Sequence, residues 1–220
     1  MSLDRRRKVA EILLRVKAIQ LRPEDPFTWA SGRKSPIYCD NRKTLSHPNV
    51  RTYLRQALAE LVGEAHGRPD AIAGVATGGI AIGALVAQEL GLPFIYVRSE
   101  AKSHGMGNQI EGDLSVLSNV VIIEDLVSTG KSSLLAVKAL EAAGIDVKGL
   151  IAIFTYGFDE AYAAFEQAGC KWEALTDYPT LLEQAAAEGY IADAQREVLS
   201  AWSADAKGWS EAHLAKSASA

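Results

Sequence analysis

Apolar positions along the chain repeat with two periods. Steps of three and four through Val9, Ile12, Leu13, Val16 and Ile19 predict a first amphipathic helix, and Val50, Tyr53, Leu54, Leu58 and Leu61 predict a second over 49–66. Between them, residues 22–48 are rich in Pro, Ser, Gly and aromatic residues, which predicts a short hairpin with loops. Short β-branched runs then alternate with helical stretches: strand 71–76, helix 79–90, strand 94–98, strand 119–124, helix 131–143, strand 147–155 and helix 159–168. Gly91 and Gly144 stand just past two of these helices, where C-terminal caps belong. The alternation predicts an α/β fold, a central and mainly parallel sheet with helices on both faces.

The pattern breaks between Ser99 and Ser118, where Gly105, Gly107 and Gly112 interrupt a polar stretch. A long patternless segment inside a compact domain is a functional lid or is disordered; Arg98, Lys102 and His104 beside these glycines favour a mobile lid. Beyond 170 the chain predicts helices over 178–188 and 193–202, with Trp172, Trp202 and Trp209 as packing anchors and a frayed end from 215. No residue of this tail suggests chemistry. The whole reads as one domain over 1–220: a small N-terminal hood to about 48, a core to about 170, and a helical tail.

Composition narrows the class. A chain of 220 residues with 48% hydrophobic residues suffices for one substantial core. A net charge of -4 and a pI near 5.6 argue against a nucleic-acid partner. The basic run Arg5-Arg6-Arg7-Lys8 opens an amphipathic helix and reads as its solvated face. Cys39 and Cys170 are too few and too far apart for a disulfide framework, and no Cys/His spacing resembles a zinc site. No apolar run approaches a membrane span, and the N-terminus lacks the apolar core of a signal peptide. These features predict a soluble, cytoplasmic chain.

The candidate chemistry lies in the run from Val120 to Ser133. Val120 to Ile123 form a continuous β-branched run, as in a strand covered on both faces. Glu124 and Asp125 follow at its C-terminal end, where open α/β sheets bind ligands; successive side chains point to opposite faces, so the two acids should do different work. Leu126, Val127, Ser128, Thr129, Gly130, Lys131 and Ser132 then lead into a helix whose orphan N–H groups suit a phosphate. Together they suggest a phosphorylated sugar. A P-loop is excluded because its first glycine would fall at position 125, which is Asp125. Gly105-Met106-Gly107-Asn108-Gln109-Ile110 lacks the third glycine of a dinucleotide fingerprint.

The run from Val121 to Ser132 resembles the phosphoribosyl pyrophosphate (PRPP) motif of type I phosphoribosyltransferases. Three further segments are similar to the orotate phosphoribosyltransferases within that family: Phe27 to Arg42, Gly74 to Ile80, and Arg98 to Gly105. The resemblance covers about residues 1–170 and implies the type I fold. It also implies transfer of phosphoribose from PRPP to N1 of orotate with Mg2+, in a homodimer whose lid loop is shared between subunits. Under it, Glu124 and Asp125 face the ribose and oppose positive charge at C1, and residues 126–132 hold the 5-phosphate. Thr77 and Gly78 bind pyrophosphate beside a cis Ala76-Thr77 peptide, although glycine there is equally open to a turn that needs it for geometry alone. Lys102 serves the leaving pyrophosphate, with Arg98 and His104 holding it; singly, each is open to being a surface charge.

Ser128, Ile37 and Tyr38 are implied to contact orotate, and Arg42 pairs either with the orotate carboxylate or with a surface acid. Four departures from many family members stand at Ala30, Gly78 and Ser99, where lysines are usual, and in Thr155-Tyr156-Gly157, which lacks an orotate-holding arginine. Two rivals remain open: a phosphoribosyltransferase for another base, and a PRPP-binding regulator without catalysis.

Overall fold

In the computed structural model, which describes residues 2–29, 31–98 and 109–218, strand β8 (Asn119–Val127) is the centre of the molecule. Its apolar run splits between two cores. Val121 and Ile123 face one, and Val120 and Ile122 the other, all fully buried. This is the period-two alternation of a strand covered on both faces.

The other strands of the sheet are β5 (Ala71–Val75), β6 (Phe94–Val97), β7 (Ile110–Glu111), β9 (Asp146–Thr155) and β10 (Trp172–Asp177), in the order β10-β9-β8-β5-β6-β7. All neighbours are parallel except β6 and β7. Helices α1 (Leu3–Arg15), α2 (Pro48–His66), α3 (Gly78–Leu90), α6 (Tyr178–Ala187) and α7 (Asp193–Ala204) contribute to one core. Helices α4 (Lys131–Ala142) and α5 (Asp159–Gln167) cover the other. The predicted α/β architecture is therefore present.

The hood is built from two small antiparallel ladders rather than one hairpin. β1 (Ile19–Leu21) pairs with β4 (Ile37–Cys39), and inside that pair β2 (Phe27–Thr28) pairs with β3 (Lys34–Ser35). A 3-10 turn, Asn41–Ser46, leads to α2.

Several expectations are corrected. β8 continues three residues beyond the predicted end at 124, to Val127, so Asp125 too lies within the strand: Glu124 is in register with Ala152 and Leu126 with Phe154. β7 occupies two positions of the stretch that shows no pattern. The tail begins with β10, whose five ladder partners run from Leu150 to Thr155. It ends with an additional helix, α8 (Ala206–Ala218), which replaces the expected fraying through 218.

Candidate active site

The strand order turns around between β5 and β8. From β5 the chain crosses through α3 to β6 on one side, and from β8 through α4 to β9 on the other. Such a reversal leaves a crevice at the carboxyl ends of the two strands, the place where doubly wound sheets bind ligands. A cleft of about 500 Å³ opens there, lined by Ala76, Thr77 and Gly78 after β5 and by Glu124, Asp125 and Ser128 to Ser132 at the end of β8.

The Ala76–Thr77 peptide is cis. α4 starts from Gly130, whose φ of 78° is the left-handed region, and no side chain caps the helix. Its first N–H groups and the positive end of its dipole therefore address the cleft, a setting for a phosphate. Gly130 is needed twice over, because a Cβ there would also meet the Phe165 ring at 2.7 Å.

The two acids part company as the strand alternation requires. Glu124 is 4% exposed; its carboxyl accepts hydrogen bonds from Ser133 Oγ at 3.1 Å and from the Asp125 N–H at 3.0 Å. Burial, then the neighbouring Asp125 charge, pushes the Glu124 carboxyl well above the usual carboxylate range. Asp125 packs its carboxyl against Gly78, where an added Cβ would collide with it. Its carbonyl accepts from Asn41 Nδ2 of the hood at 2.6 Å. Burial raises Asp125 too, opposed by the hydrogen bond with Glu124 and by the charge of Arg42. Gly78 and Asp125 thus explain each other: the acid fills the space above a residue that has no side chain.

A second cleft of about 500 Å³ adjoins the first and shares Ser128 and Thr129 with it. Trp29, Arg33 and Lys34 of the hood line one side, Gly157 to Glu160 after β9 another, and Trp202 to Lys207 of the tail a third. A site for a sugar phosphate therefore continues, through Ser128, into room for a second molecule.

A family model for the phosphoribosyl transferase domain matches residues 42–169. Over 201 residues the chain is 52% identical to the orotate phosphoribosyltransferase of Porphyromonas gingivalis, a match spanning 91% of this chain and 96% of that protein. It is 50% identical over 209 residues to the orotate phosphoribosyltransferase of Listeria monocytogenes, spanning 95% and 99%. The chain belongs to the orotate phosphoribosyltransferase family. Its backbone is similar to the crystal structure of orotate phosphoribosyltransferase from Aeropyrum pernix, with a TM-score of 0.73 at 29% identity over 84% of this chain and 99% of that one.

Within this orotate phosphoribosyltransferase fold, the sequence-predicted residues fall into three groups. Thr77, Gly78, Glu124, Asp125, Leu126, Ser128, Thr129, Gly130, Lys131 and Ser132 line one cleft. Val127 is buried in the core, and its carbonyl accepts from the Tyr156 N–H at 3.3 Å. A second group lines neither of the two clefts, although the charge of Arg42 is felt at Asp125. Ile37 is fully buried, with its carbonyl accepting from Trp29 Nε1 at 3.2 Å and from Ser35 Oγ at 2.9 Å. Tyr38 packs on Phe27 with ring centroids 5.5 Å apart. Arg42 Nε donates to Asp40 Oδ1 at 2.7 Å, the surface pairing, and holds the Asp40 carboxyl below its ordinary range.

The residues of the expected lid are the third group. Lys102 and His104, like Ala30 and Ser99, lie outside the described residues. The base of the expected lid is pinned: the Arg98 N–H donates to the Gln109 carbonyl at 2.9 Å, and Gln109 Nε2 donates to the Arg98 carbonyl at 3.0 Å. The Arg98 guanidinium reaches Glu111 at 3.7 Å.

Sequence reasoning found Trp202 as a packing anchor but missed the tail's place on the second cleft. Trp202 is 1% exposed and meets the rings of Trp29, Tyr156, Phe158 and Tyr178 at centroid distances of 5.2–6.1 Å. Hood, β9 loop and tail thus join in one aromatic cluster beside the second cleft. Eight aromatic residues within 156–202 were the available signal, but singling out Tyr156, Phe158, Tyr178 and Trp202 and pairing them with Trp29 required the fold.

Proposed function

We propose that this chain transfers the phosphoribosyl group of PRPP to N1 of orotate, giving orotidine 5-phosphate and pyrophosphate in pyrimidine nucleotide (UMP) biosynthesis. The observation that carries the reading is the acid pair at the sheet's switch point, between a phosphate-ready helix terminus and a glycine turn, with a second cleft adjoining. The names of the similar proteins support the choice of orotate.

In the proposed reaction the C1–O bond to pyrophosphate breaks with its electron pair leaving on oxygen, the C1–N1 bond forms on the opposite face, and the N1 proton is lost. No serine or cysteine nucleophile is needed, because the base is the nucleophile. A loose, dissociative transition state puts positive charge on the sugar, and a negative carboxyl beside it stabilises that charge. Asp125, on the open side of the pair, is the group for this role. Glu124, buried and bonded to Ser133, fixes the end of β8 and orients the loop through the Asp125 amide. The first amides of α4 bind the 5-phosphate.

Among the described residues no cluster of three or more metal ligands exists. Mg2+ binds through one or two carboxylates, water and substrate phosphates, and Asp125 at the cleft is a carboxylate of that kind. Asp125 would hold the ion together with PRPP oxygens, and its charge would ease departure of pyrophosphate. Lys102, with Arg98 and His104, closes on the pyrophosphate from the lid, and the lid serves the neighbouring subunit of a homodimer. The reading places the enzyme in the cytoplasm, supported by free thiols at Cys39 and Cys170 and by the lack, among the described residues, of a helix long and apolar enough to cross a membrane.

The test is pyrophosphate release from PRPP with orotate, adenine, hypoxanthine or uracil as acceptor. Orotate is expected to be preferred; absence of orotate-dependent release would defeat the proposal. Lys102→Ala separates enzyme from regulator. Turnover should fall at least 10-fold with PRPP binding partly retained, whereas unchanged turnover would remove Lys102 from the chemistry.

A further inference from the structure

Orotate carries a carboxylate, and a carboxylate enclosed in a cleft needs a cation with hydrogen-bonding capacity. The loop after β9 supplies none: Tyr156 is buried in the aromatic cluster, Gly157 has no side chain, and Phe158 follows. The cleft beyond Ser128 nevertheless holds three cations, Arg33, Lys34 and Lys207, and three acids, Asp159, Glu160 and Asp205. It is not a bare cationic well, so the useful cation is one that the protein has not already engaged.

Two of the three are engaged. Lys34 Nζ donates to Thr28 Oγ1 at 2.9 Å, and Lys207 lies 4.0 Å from Glu211 one helical turn on. The Arg33 guanidinium makes no ion pair or side-chain hydrogen bond among the described residues. Its backbone, in contrast, is fixed from both ends of the chain. The Trp29 N–H donates to the Arg33 carbonyl at 2.9 Å, and the next amide, Lys34 N–H, donates to Ser210 Oγ of α8 at 2.9 Å. Ser210 is 2% exposed, so this clamp is sheltered from water. Held backbone and uncommitted guanidinium are what a recognition arginine requires, because a planar fork meets a carboxylate through two parallel hydrogen bonds.

We propose that Arg33 is the specificity residue for the acceptor, pairing with the carboxylate of orotate, and that Ser210 of the tail positions it. The proposal rests on the reading of the chain as an orotate phosphoribosyltransferase. It gives the tail a part in substrate choice, and it accounts for the missing arginine at 155–157.

The test compares orotate with its methyl ester, which keeps the ring and loses the charge. In the wild type, KM for orotate and the inhibition constant of the ester should differ widely. Arg33→Ala should raise KM for orotate roughly 10- to 100-fold, the worth of a hydrogen bond to a charged group. It should leave the ester's inhibition constant and KM for PRPP within about twofold. Arg33→Lys should recover part of the loss, keeping charge without the fork. Ser210→Ala should narrow the orotate–ester gap in the same direction by a smaller factor.

An unchanged orotate–ester gap in Arg33→Ala overturns the proposal, as does an equal loss for PRPP, or a larger collapse of the gap in Lys207→Ala. Failure of the wild type to use orotate at all would instead defeat the functional reading beneath it.

Discussion

Replacing Trp202 by alanine should destabilise the whole domain, by an amount the aromatic cluster fixes. The side chain is 1% exposed and in ring contact with Trp29, Tyr156, Phe158 and Tyr178. Truncating a buried tryptophan costs about 3–5 kcal/mol. Four ring partners, each contributing about 0.5–1.5 kcal/mol beyond area and not additively, put this site near the upper end, at about 4–5 kcal/mol. A chain of 220 residues unfolds with an entropy of about 0.46 kcal/mol/K at about 2.1 cal/mol/K per residue, so Tm should fall by roughly 10 °C. Trp202→Phe keeps a ring in the cluster and should lose about a third of that.

Differential scanning calorimetry gives both shifts, and urea unfolding followed by intrinsic fluorescence checks the free energy. A fall of less than about 3 °C in Trp202→Ala would show that the ring contacts are not stabilising. A separate early transition, with the main one unmoved, would show that the tail is its own unit and not part of the common core.

Two further outcomes are expected in the first cleft. Gly78→Ala should reduce kcat/KM for PRPP about 10-fold or more, because the new methyl displaces the Asp125 carboxyl by the ångström that costs such a factor; unchanged PRPP kinetics would detach Asp125 from the reaction. Glu124→Gln should be more stable than the wild type at pH 8 while losing activity. Because the folded-state carboxyl titrates above its unfolded value, its favourable contribution is complete below about pH 4 and is lost as pH rises through the raised value. The urea midpoint of the variant should therefore overtake that of the wild type with rising pH, and a variant less stable than wild type at pH 8 would contradict the burial argument.

Where local pattern and long-range packing agree, the sequence alone was sufficient. Val120 to Ile123 advertise a doubly covered strand by being β-branched without interruption, and Gly130 advertises the start of α4 because the turn there has a positive φ. Placing Glu124 and Asp125 on opposite faces needed only the strand period.

The misses have one cause. β10 is six residues whose pairing is set by β9 alone, with two charged positions and no local period. Ile37 precedes the exposed Tyr38, and its own burial depends on the hood folding onto the core. Arg42, by contrast, has an acid two residues away and pairs with it, the surface alternative that the sequence had left open. The role of the tail depended on contacts between residues far apart along the chain, and the one-dimensional pattern marked Trp202 as an anchor without naming its partners.

The clamp between Lys34 and Ser210 joins residues 176 positions apart. Arg6 and Asp177, at 2.7 Å, and Glu24 and Gln195, at 2.8 Å, close loops of 171. During synthesis the sheet, the acid pair and the helix terminus for phosphate are all complete before α7 and α8 exist. At about 5–20 residues per second, on the order of one to six seconds separate the synthesis of β10 from that of Trp202 to Lys207, the tail's wall of the second cleft. The first cleft therefore draws only on residues made before α7, whereas the second cannot close until the tail has followed.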